Sequence, residues 1–588
     1  MPKITINGHE CEFKPGQMIL QVANENAQAI PQYCYHDGLS IVASCRICLA
    51  EVWQPNPRND NALEAIPKLV PTCQTACSEG MVVYTDSPKA IANQKAVMEY
   101  LLINHPLDCP VCDQSGECLL QDYSYEYGRS ASRFEEAKVK NPKKDLGPHV
   151  YLYADRCIMC TRCVRFTREV TETAELTILG RGNKNEIDIF PGLALDNELS
   201  ANVVDLCPVG ALLDKDFLFA QRVWFLKGTP SIDGITASGD NLRVDSNDGK
   251  VYRLKPRTNM SVNKWWISDE VRYGWKHVHS EQRLAAPIRR AFGLQQPGDW
   301  NRAYNEAAAG LTAAVRSGGR LGVVVSPMLS CEDAFELARL AIQIDPRTMF
   351  FLGPVPVMGQ DKTFPPADPA GFKVYAEKAP NARGVRRVLS ALCASTGNKA
   401  SLAEFNQLLS APVAALLLTG NYPTDWTTGD LLRLLRSGAS PGGKKPFVVL
   451  IDTLAGPLAE AADVVLPSCT WLEKAGSFQN ARDQLQAFEQ AIPPVHSAKS
   501  EGQIALDLAA ILAGSLAVVE GETVVITPDK AGQVPDATRL ATAIGEQFNA
   551  AGTRARMAAV AGLEVFAGGV AMPVPEVTQE PDVQMVEI

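Results

Sequence analysis

Residues 157–163 read Cys157-Ile158-Met159-Cys160-Thr161-Arg162-Cys163, and after 43 intervening residues the chain reaches Cys207-Pro208. Thiolates at every third position, closed by a remote Cys-Pro, are the bacterial-type signature of a 4Fe–4S cluster. A structural zinc site is the competing reading, and the triplet spacing disfavours it. Segments that hold two such clusters repeat the triplet. Here Thr167 lies four residues after Cys163, and Ser200 and Val203 precede Cys207 where a second set would stand. The segment therefore carries one cluster.

Working outward, a second set lies upstream: His105, Cys109, Cys112 and Cys118, spaced H-x3-C-x2-C-x5-C. Taken alone, three thiolates and an imidazole fit either a structural zinc site or a 4Fe–4S cluster. A histidine at a helix end is commonly only a cap, but its spacing to three cysteines favours ligation. Further upstream stand Cys34, Cys45, Cys48 and Cys73, spaced C-x10-C-x2-C-x24-C. Thiolates gathered by a loop on a β-rich domain suit a 2Fe–2S cluster. Zinc competes here too, but the long first gap and the hairpin ahead of it are unlike a zinc ribbon. Cys77 competes with Cys73 as fourth ligand, and Cys73 is favoured. The remaining cysteines, Cys11, Cys77, Cys331, Cys393 and Cys469, read as small buried hydrophobes.

Length and composition agree with a reduced, multidomain chain. Its 588 residues predict several domains, and 46% hydrophobic and 21% charged residues are globular values. A net charge of -10 argues against nucleic acid as a partner. The apolar runs at 506–519 and 557–574 are broken by Asp507 and Glu564, so no membrane span is expected. The opening Met1-Pro2-Lys3-Ile4 lacks an apolar export signal, and 13 of the 16 cysteines crowd before residue 210, so metal ligation is favoured over disulfides.

The patterning divides the chain further. Residues 1–80 read as a small β-rich domain, with strands flanking the Asn7-Gly8 turn and a helix over 18–27. Ser87-Pro88 opens a helix to about Asn104, with Ile91, Met98, Leu101 and Leu102 as its expected buried stripe and Pro106 as its stop. Residues 81–120 hold the His105 set and 121–220 the Cys157 set. Residues 221–290 are turn-rich and β. From 291 to 545 strands at 321–325, 414–418, 447–451 and 464–466 alternate with helices at 333–344 and 429–436, a doubly wound α/β pattern. Residues 546–588 are expected to form a C-terminal tail, mobile or partner-bound from Pro573 on.

With these residues in view, the chain resembles the large iron–sulfur subunit of respiratory complex I, the 75-kDa type. The strings Ser44-Cys45-Arg46-Ile47-Cys48, His105-Pro106-Leu107-Asp108-Cys109 and Cys160-Thr161-Arg162-Cys163-Val164-Arg165-Phe166 stand in that family's order. The resemblance is close over 1–220 and weaker beyond. Residues 231–289 are similar to the entrance domain of molybdopterin oxidoreductases, and Glu473–Asn480 to a loop of their pterin-binding α/β domain. Some relatives hold a further cluster at that entrance. This chain has no cysteine between 208 and 330, and Ser268 stands where the last ligand would be.

The resemblance implies a multidomain α+β and α/β chain. Its parts would be a β-grasp 2Fe–2S ferredoxin-type domain, a 4Fe–4S segment with one histidine and three cysteine ligands, a 4Fe–4S ferredoxin-like domain, and a molybdopterin-oxidoreductase-like α/β domain without cofactor. It implies one 2Fe–2S and two 4Fe–4S clusters, and neither flavin nor molybdopterin on this chain. Electrons would enter at the 2Fe–2S site, pass the Cys157 cluster and leave from the His105 cluster. The partners would be a flavin-bearing NADH-oxidising subunit and quinone-side iron–sulfur subunits, on the cytoplasmic face of the inner (plasma) membrane, with membrane contact only through the complex. The isolated chain would be inactive with NADH. The competing function is an iron–sulfur or molybdopterin subunit of a soluble NAD-linked formate dehydrogenase or hydrogenase.

Overall fold

The computed structural model describes residues 1–437, 444–513 and 546–574. These form two compact units: Met1–Leu226 with Thr363–Gly371, and the remainder from Lys227 onward.

The first unit opens on a hairpin. Strands β1 (Lys3–Ile6) and β2 (His9–Glu12) are joined by Asn7 and Gly8 at φ 49° and 85°. Two consecutive left-handed residues make the turn whose twist matches paired strands, and Asn-Gly is the pair that adopts it cheaply. Helix α1 (Ile19–Glu25) buries Ile19, Leu20, Val22 and Ala23 against the sheet. Strands β3 (Leu49–Asn56), β4 (Ala62–Ala65), β5 (Val70–Pro71) and β6 (Val82–Tyr84) complete it. The order is β2-β1-β6-β3-β4, with β5 on β3. β1 and β6 are parallel and the other pairs antiparallel. One helix laid across such a mixed sheet is the β-grasp arrangement.

Helix α2 (Pro88–Leu102) starts where its cap dictates: Ser87 Oγ accepts the Ala90 N–H at 3.3 Å, and Pro88 occupies the first turn. Its buried face corrects the expected stripe. Ala90, Gln94 and Met98 are buried, whereas Ile91 is exposed and Leu101 and Leu102 only half-buried. The core side is chosen by specific polar anchors: Gln94 donates to Thr85 O at 3.0 Å, and Tyr33 donates to Met98 Sδ at 3.2 Å. Helix α3 (Leu119–Tyr127) follows. Then come the antiparallel strands β7 (Lys143–Asp145) and β8 (Val150–Tyr153), helix α4 (Arg162–Glu169), the hairpin β9 (Leu176–Leu179) and β10 (Glu186–Ile189), helix α5 (Asn202–Leu206) and β11 (Leu212–Asp214) back on β8.

The second unit begins with an antiparallel sheet of Lys227–Ile232, Asn241–Asn247 and Lys250–Pro256. Among the described residues its larger sheet has six parallel strands. In space they run Val464–Pro467, Phe447–Asp452, Ala415–Thr419, Leu321–Val325, Met349–Leu352 and Ser401–Ala403. In chain order this is the doubly wound 3-2-1-4-5-6 arrangement. An antiparallel hairpin, Ile288–Ala291 with Leu294–Pro297, extends one edge. Alternation of side chains sorts the strands between two layers. Val323, Val325, Leu417 and Val449 face helices Trp300–Arg316, Cys331–Ile344 and Ala382–Ser395. Val324, Leu416, Leu418 and Leu450 face helices Gly429–Ser437 and Pro457–Ala461. Burial on both faces explains why these strands are uninterrupted apolar runs.

Residues 546–574, the start of the expected tail, hold helix Ala550–Ala558, and Met557, Leu563 and Phe566 are buried in the α/β core. The expected tail beyond 574 lies outside the described residues. Among the described residues no helix is long and apolar enough to cross a membrane.

Candidate iron–sulfur sites

All twelve residues singled out by spacing lie in the first unit. In the β-grasp domain the chain turns sharply at Ala43 and Arg46, both left-handed at φ 49° and 61°. This winds 43–48 back on itself and brings Cys45 and Cys48 to Cys34, while Cys73 follows β5. Cys34, Cys48 and Cys73 are buried and Cys45 is half-buried. The Cys34 and Cys45 thiols act on each other, as do Cys48 and Cys73; within these pairs Cys34 and Cys48 are drawn below the ordinary thiol range and Cys45 and Cys73 are raised. Cys34, Cys45 and Cys48 all act electrostatically on Cys73. Cys77 stands apart: burial and its neighbour Cys11 raise it to about 11.

The second set follows α2. Lys138 Nζ donates to Leu102 O and Ile103 O at 2.9 and 2.8 Å, closing the helix end just before His105. Burial, then the charges of Arg156 and Lys138, pull His105 to about 4, so its ring is neutral and fit to ligate. Cys109 is exposed, while Cys112 and Cys118 are buried. Burial raises Cys112, and raises Cys118 to about 11. Gly210 backs this set so closely that a Cβ there would lie 2.2 Å from Cys112 Sγ. Only glycine leaves room for that sulfur.

In the third set Cys157, Cys160, Cys163 and Cys207 line one cavity, walled also by Leu152, Ile187 and Val209. Met159 and Thr161 are left-handed at φ 54° and 64°, which curls the loop around it, and Met159 N–H donates to Cys157 Sγ at 3.4 Å. Burial raises all four thiols, Cys157 to about 12 and Cys160 to about 11. Loading with iron would therefore release protons. Four sulfurs around an apolar cavity fit a 4Fe–4S cluster. Among the described residues no three His, Cys, Asp or Glu side chains converge on a single-ion point.

Three buried arginines, which spacing rules did not single out, join the sets. Arg156 donates to Asp108 Oδ2 at 3.0 and 2.8 Å and to Gly210 O at 3.4 Å, and lies 4.0 Å over the Tyr153 ring. It ties the third loop to the second set. Arg162 donates to Tyr35 O at 2.5 Å and Leu206 O at 3.4 Å. Arg165 donates to Ser40 O, Cys34 O and Cys160 O. These two tie the third loop to the first set. The signal available in the sequence was arginine before, within and after the cysteine triplet, at 156, 162 and 165.

In the second unit the entrance segment has no cysteine, and Ser268 serves as a helix cap, its Oγ accepting the Val271 N–H at 3.3 Å. The crevice at the strand-order reversal is where open α/β sheets bind ligands. Here it is filled by the chain itself. Asn421, left-handed at φ 72°, donates to Cys469 O at 2.7 Å and Glu501 Oε1 at 3.0 Å. Lys474 pairs with Asp333 at 2.9 Å and with Glu501. A Cβ on Gly420 would lie 1.9 Å from Asp452 Oδ2. Two carboxylates already answer the lysine, so the donor set does not fit an anionic pterin.

Residues 2–88 match a 2Fe-2S iron-sulfur cluster binding domain, and 94–133 an NADH-ubiquinone oxidoreductase-G iron-sulfur binding region. Residues 147–213 match the ferredoxin-like domain of NADH-quinone oxidoreductase subunit 3. Residues 226–276 match an NDSU1/NuoG-like 4Fe-4S domain, whose cluster has no thiolate here, and 393–511 match molybdopterin oxidoreductase. The chain is 40% identical over 341 residues to the mitochondrial 78 kDa subunit of NADH-ubiquinone oxidoreductase from Neurospora crassa, covering 58% of this chain and 44% of that one. It is 37% identical over 340 residues to the G-type subunit of NADH-quinone oxidoreductase from Rickettsia felis (58% and 49%), and 36% over 358 residues to the 75 kDa subunit of NADH-ubiquinone oxidoreductase from Reclinomonas americana (61% and 50%). The chain thus covers about half or less of each of these relatives. A solved NAD+-reducing NiFe-hydrogenase is 27% identical at a TM-score of 0.31, covering 38% of this chain and 91% of that one.

Proposed function

We propose that this homologue of the large iron–sulfur subunits of NADH-quinone oxidoreductase is an electron-transfer subunit. Single electrons enter at Cys34, Cys45, Cys48 and Cys73, are relayed at Cys157, Cys160, Cys163 and Cys207, and leave at His105, Cys109, Cys112 and Cys118. The observation that carries this reading is the middle position of the third loop, held by Arg165 to Cys34 and by Arg156 to Asp108 and Gly210. Clusters bound at these sites supply one-electron chemistry. The chain's own residues hold the ligands, exclude water from buried sulfurs and fix the distances between sites. No side chain need move a proton in catalysis.

The donors on this reading are a flavin-bearing subunit that oxidises NADH, and the acceptors are iron–sulfur subunits on the quinone side. The chain would lie peripherally on the cytoplasmic side of the membrane. The carboxylate-filled crevice of the α/β domain supports a covering and docking role without pterin. The formate dehydrogenase or hydrogenase reading is disfavoured by the matches of residues 94–133 and 147–213 to NADH-ubiquinone and NADH-quinone oxidoreductase domains.

The test is anaerobic reconstitution of the full chain with iron and sulfide. About ten irons per chain, no zinc, and EPR signals of one 2Fe–2S and two 4Fe–4S centres are expected. One equivalent of zinc would remove the His105 set from the electron path. Release of a fluorescent pterin on denaturation would overturn the reading of the α/β domain.

A further inference from the structure

Two cations are buried at one place in the first unit, and among the described residues no carboxylate pairs with either. Arg162 and Arg165 lie in the first turns of α4 at 9% and 8% exposure. Arg165 gives Nη1 to Ser40 O, Nη2 to Cys34 O and, at 3.4 Å, to Cys160 O, and Nε to Thr161 Oγ1 at 3.4 Å. Arg162 bonds Tyr35 O and Leu206 O. Among the described residues every acceptor is a carbonyl or a hydroxyl. Glu169, on the same helix, instead accepts from the N–H and O–H of Ser40.

A buried cation needs compensating negative charge, and neutral dipoles alone leave it costly. Cys160, Cys207 and Cys34, from the two cysteine sets, act electrostatically on Arg162, and the other groups facing the pair are Tyr123 and His36, a ring that burial and both arginines hold neutral. Thiolate-ligated iron–sulfur clusters are net anions, so both sets, once loaded, supply that charge. One nitrogen, Arg165 Nη2, also bonds the carbonyl of a ligand residue from each set.

Resting on the electron-carrier reading above, we propose that Arg165, assisted by Arg162, is a positioning residue shared by the two centres. Its charge sets the potentials of both, and its Nη2 is the hydrogen-bonded bridge between them. Positive charge near an anionic centre favours the reduced state. Removing it lowers both potentials together.

The experiment is an EPR-monitored redox titration of the reconstituted full chain. Arg165→Gln is expected to shift the oxidised–reduced equilibrium of both the 2Fe–2S and the Cys157 centre about tenfold toward oxidised, about 59 mV for one electron. Arg165→Lys, which keeps the charge, should recover most of that shift. Arg168→Gln, the same charge change at an exposed position of α4, should move neither. Iron content and both EPR signals in each variant verify that the centres are assembled. Should Arg165→Gln fail to assemble, the comparison passes to Arg165→Lys and to Arg162→Gln, which is expected to lower both potentials in the same direction. Assembled centres with unchanged potentials, or a shift confined to one centre, overturn the proposal. Absence of both signals from the unsubstituted chain would instead overturn the electron-carrier reading on which it rests.

Discussion

Exchanging the single imidazole among the twelve proposed ligands isolates its effect. His105→Cys adds a negative charge to the second site, so its cluster should keep its irons while its potential falls. His105→Ala should leave the cluster labile, seen as iron loss on gel filtration. An Ala variant with unchanged EPR signal and iron would make His105 a bystander. Gly210 is equally exposed to test. Any side chain there meets Cys112 Sγ at 2.2 Å, so Gly210→Val should cost about 1–3 kcal/mol and empty the second site before the first. A third prediction concerns pH. His277 is pulled to about 4 by burial, its Nδ1 2.9 Å from Gly274 O and its ring stacked on Trp471 at 5.6 Å. Unfolded, it titrates near 6.5. Between about pH 4 and 6.5 the unfolded chain binds the extra proton, so this contribution is complete above 6.5 and is lost as pH falls toward 4. It is worth up to about 3 kcal/mol. His277→Gln should flatten the pH dependence of the melting point in that window; an unchanged slope would refute the assignment. At this scale the gathering of Cys157, Cys160, Cys163 and Cys207 around one cavity was legible in their spacing. The arginines were not, because a buried guanidinium is recognised by the acceptors it meets, here carbonyls of residues 34, 35, 40, 160, 206 and 210 and the Asp108 carboxylate.

Elements were legible where local chemistry decides them. Asn7-Gly8 placed a hairpin, and Ser87-Pro88 placed the start of α2. Ser87→Ala should cost about 1 kcal/mol, and because α2 runs directly into His105, cluster stability at the second site should fall with it. Chemical denaturation followed at the iron–sulfur absorbance reads both. Two independent curves, with only the protein transition shifted, would separate the helix from the site. The buried face of α2 was misread because hydrophobicity alone ranks Ile91 and Leu101 above Gln94. In the fold Gln94 meets Thr85 O, a partner that helical periodicity cannot supply. Short strands such as Met349–Leu352 and Ser401–Ala403 also escaped the sequence reading. Three or four residues carry too little pattern to separate a strand from a loop.

At the scale of the molecule, the α/β class was evident from strands of uninterrupted apolar residues, but strand order was not, since it depends on which crossover packs where. The proposed division of labour makes a simple prediction: the purified chain, free of flavin, should not oxidise NADH with an artificial acceptor. No flavin means no group to take a hydride and pass on single electrons. Steady turnover would contradict it. The loop at 157–163 carries a last consequence. Met159 and Thr161 are both left-handed, a conformation that costs a non-glycine residue of order 1–3 kcal/mol and survives only where its surroundings impose it. Those two bends are a wound spring in the wall of the cavity: Met159→Gly, which takes up the same turn without penalty, should make the site's iron harder to strip by chelator, whereas Met159→Val should release it sooner.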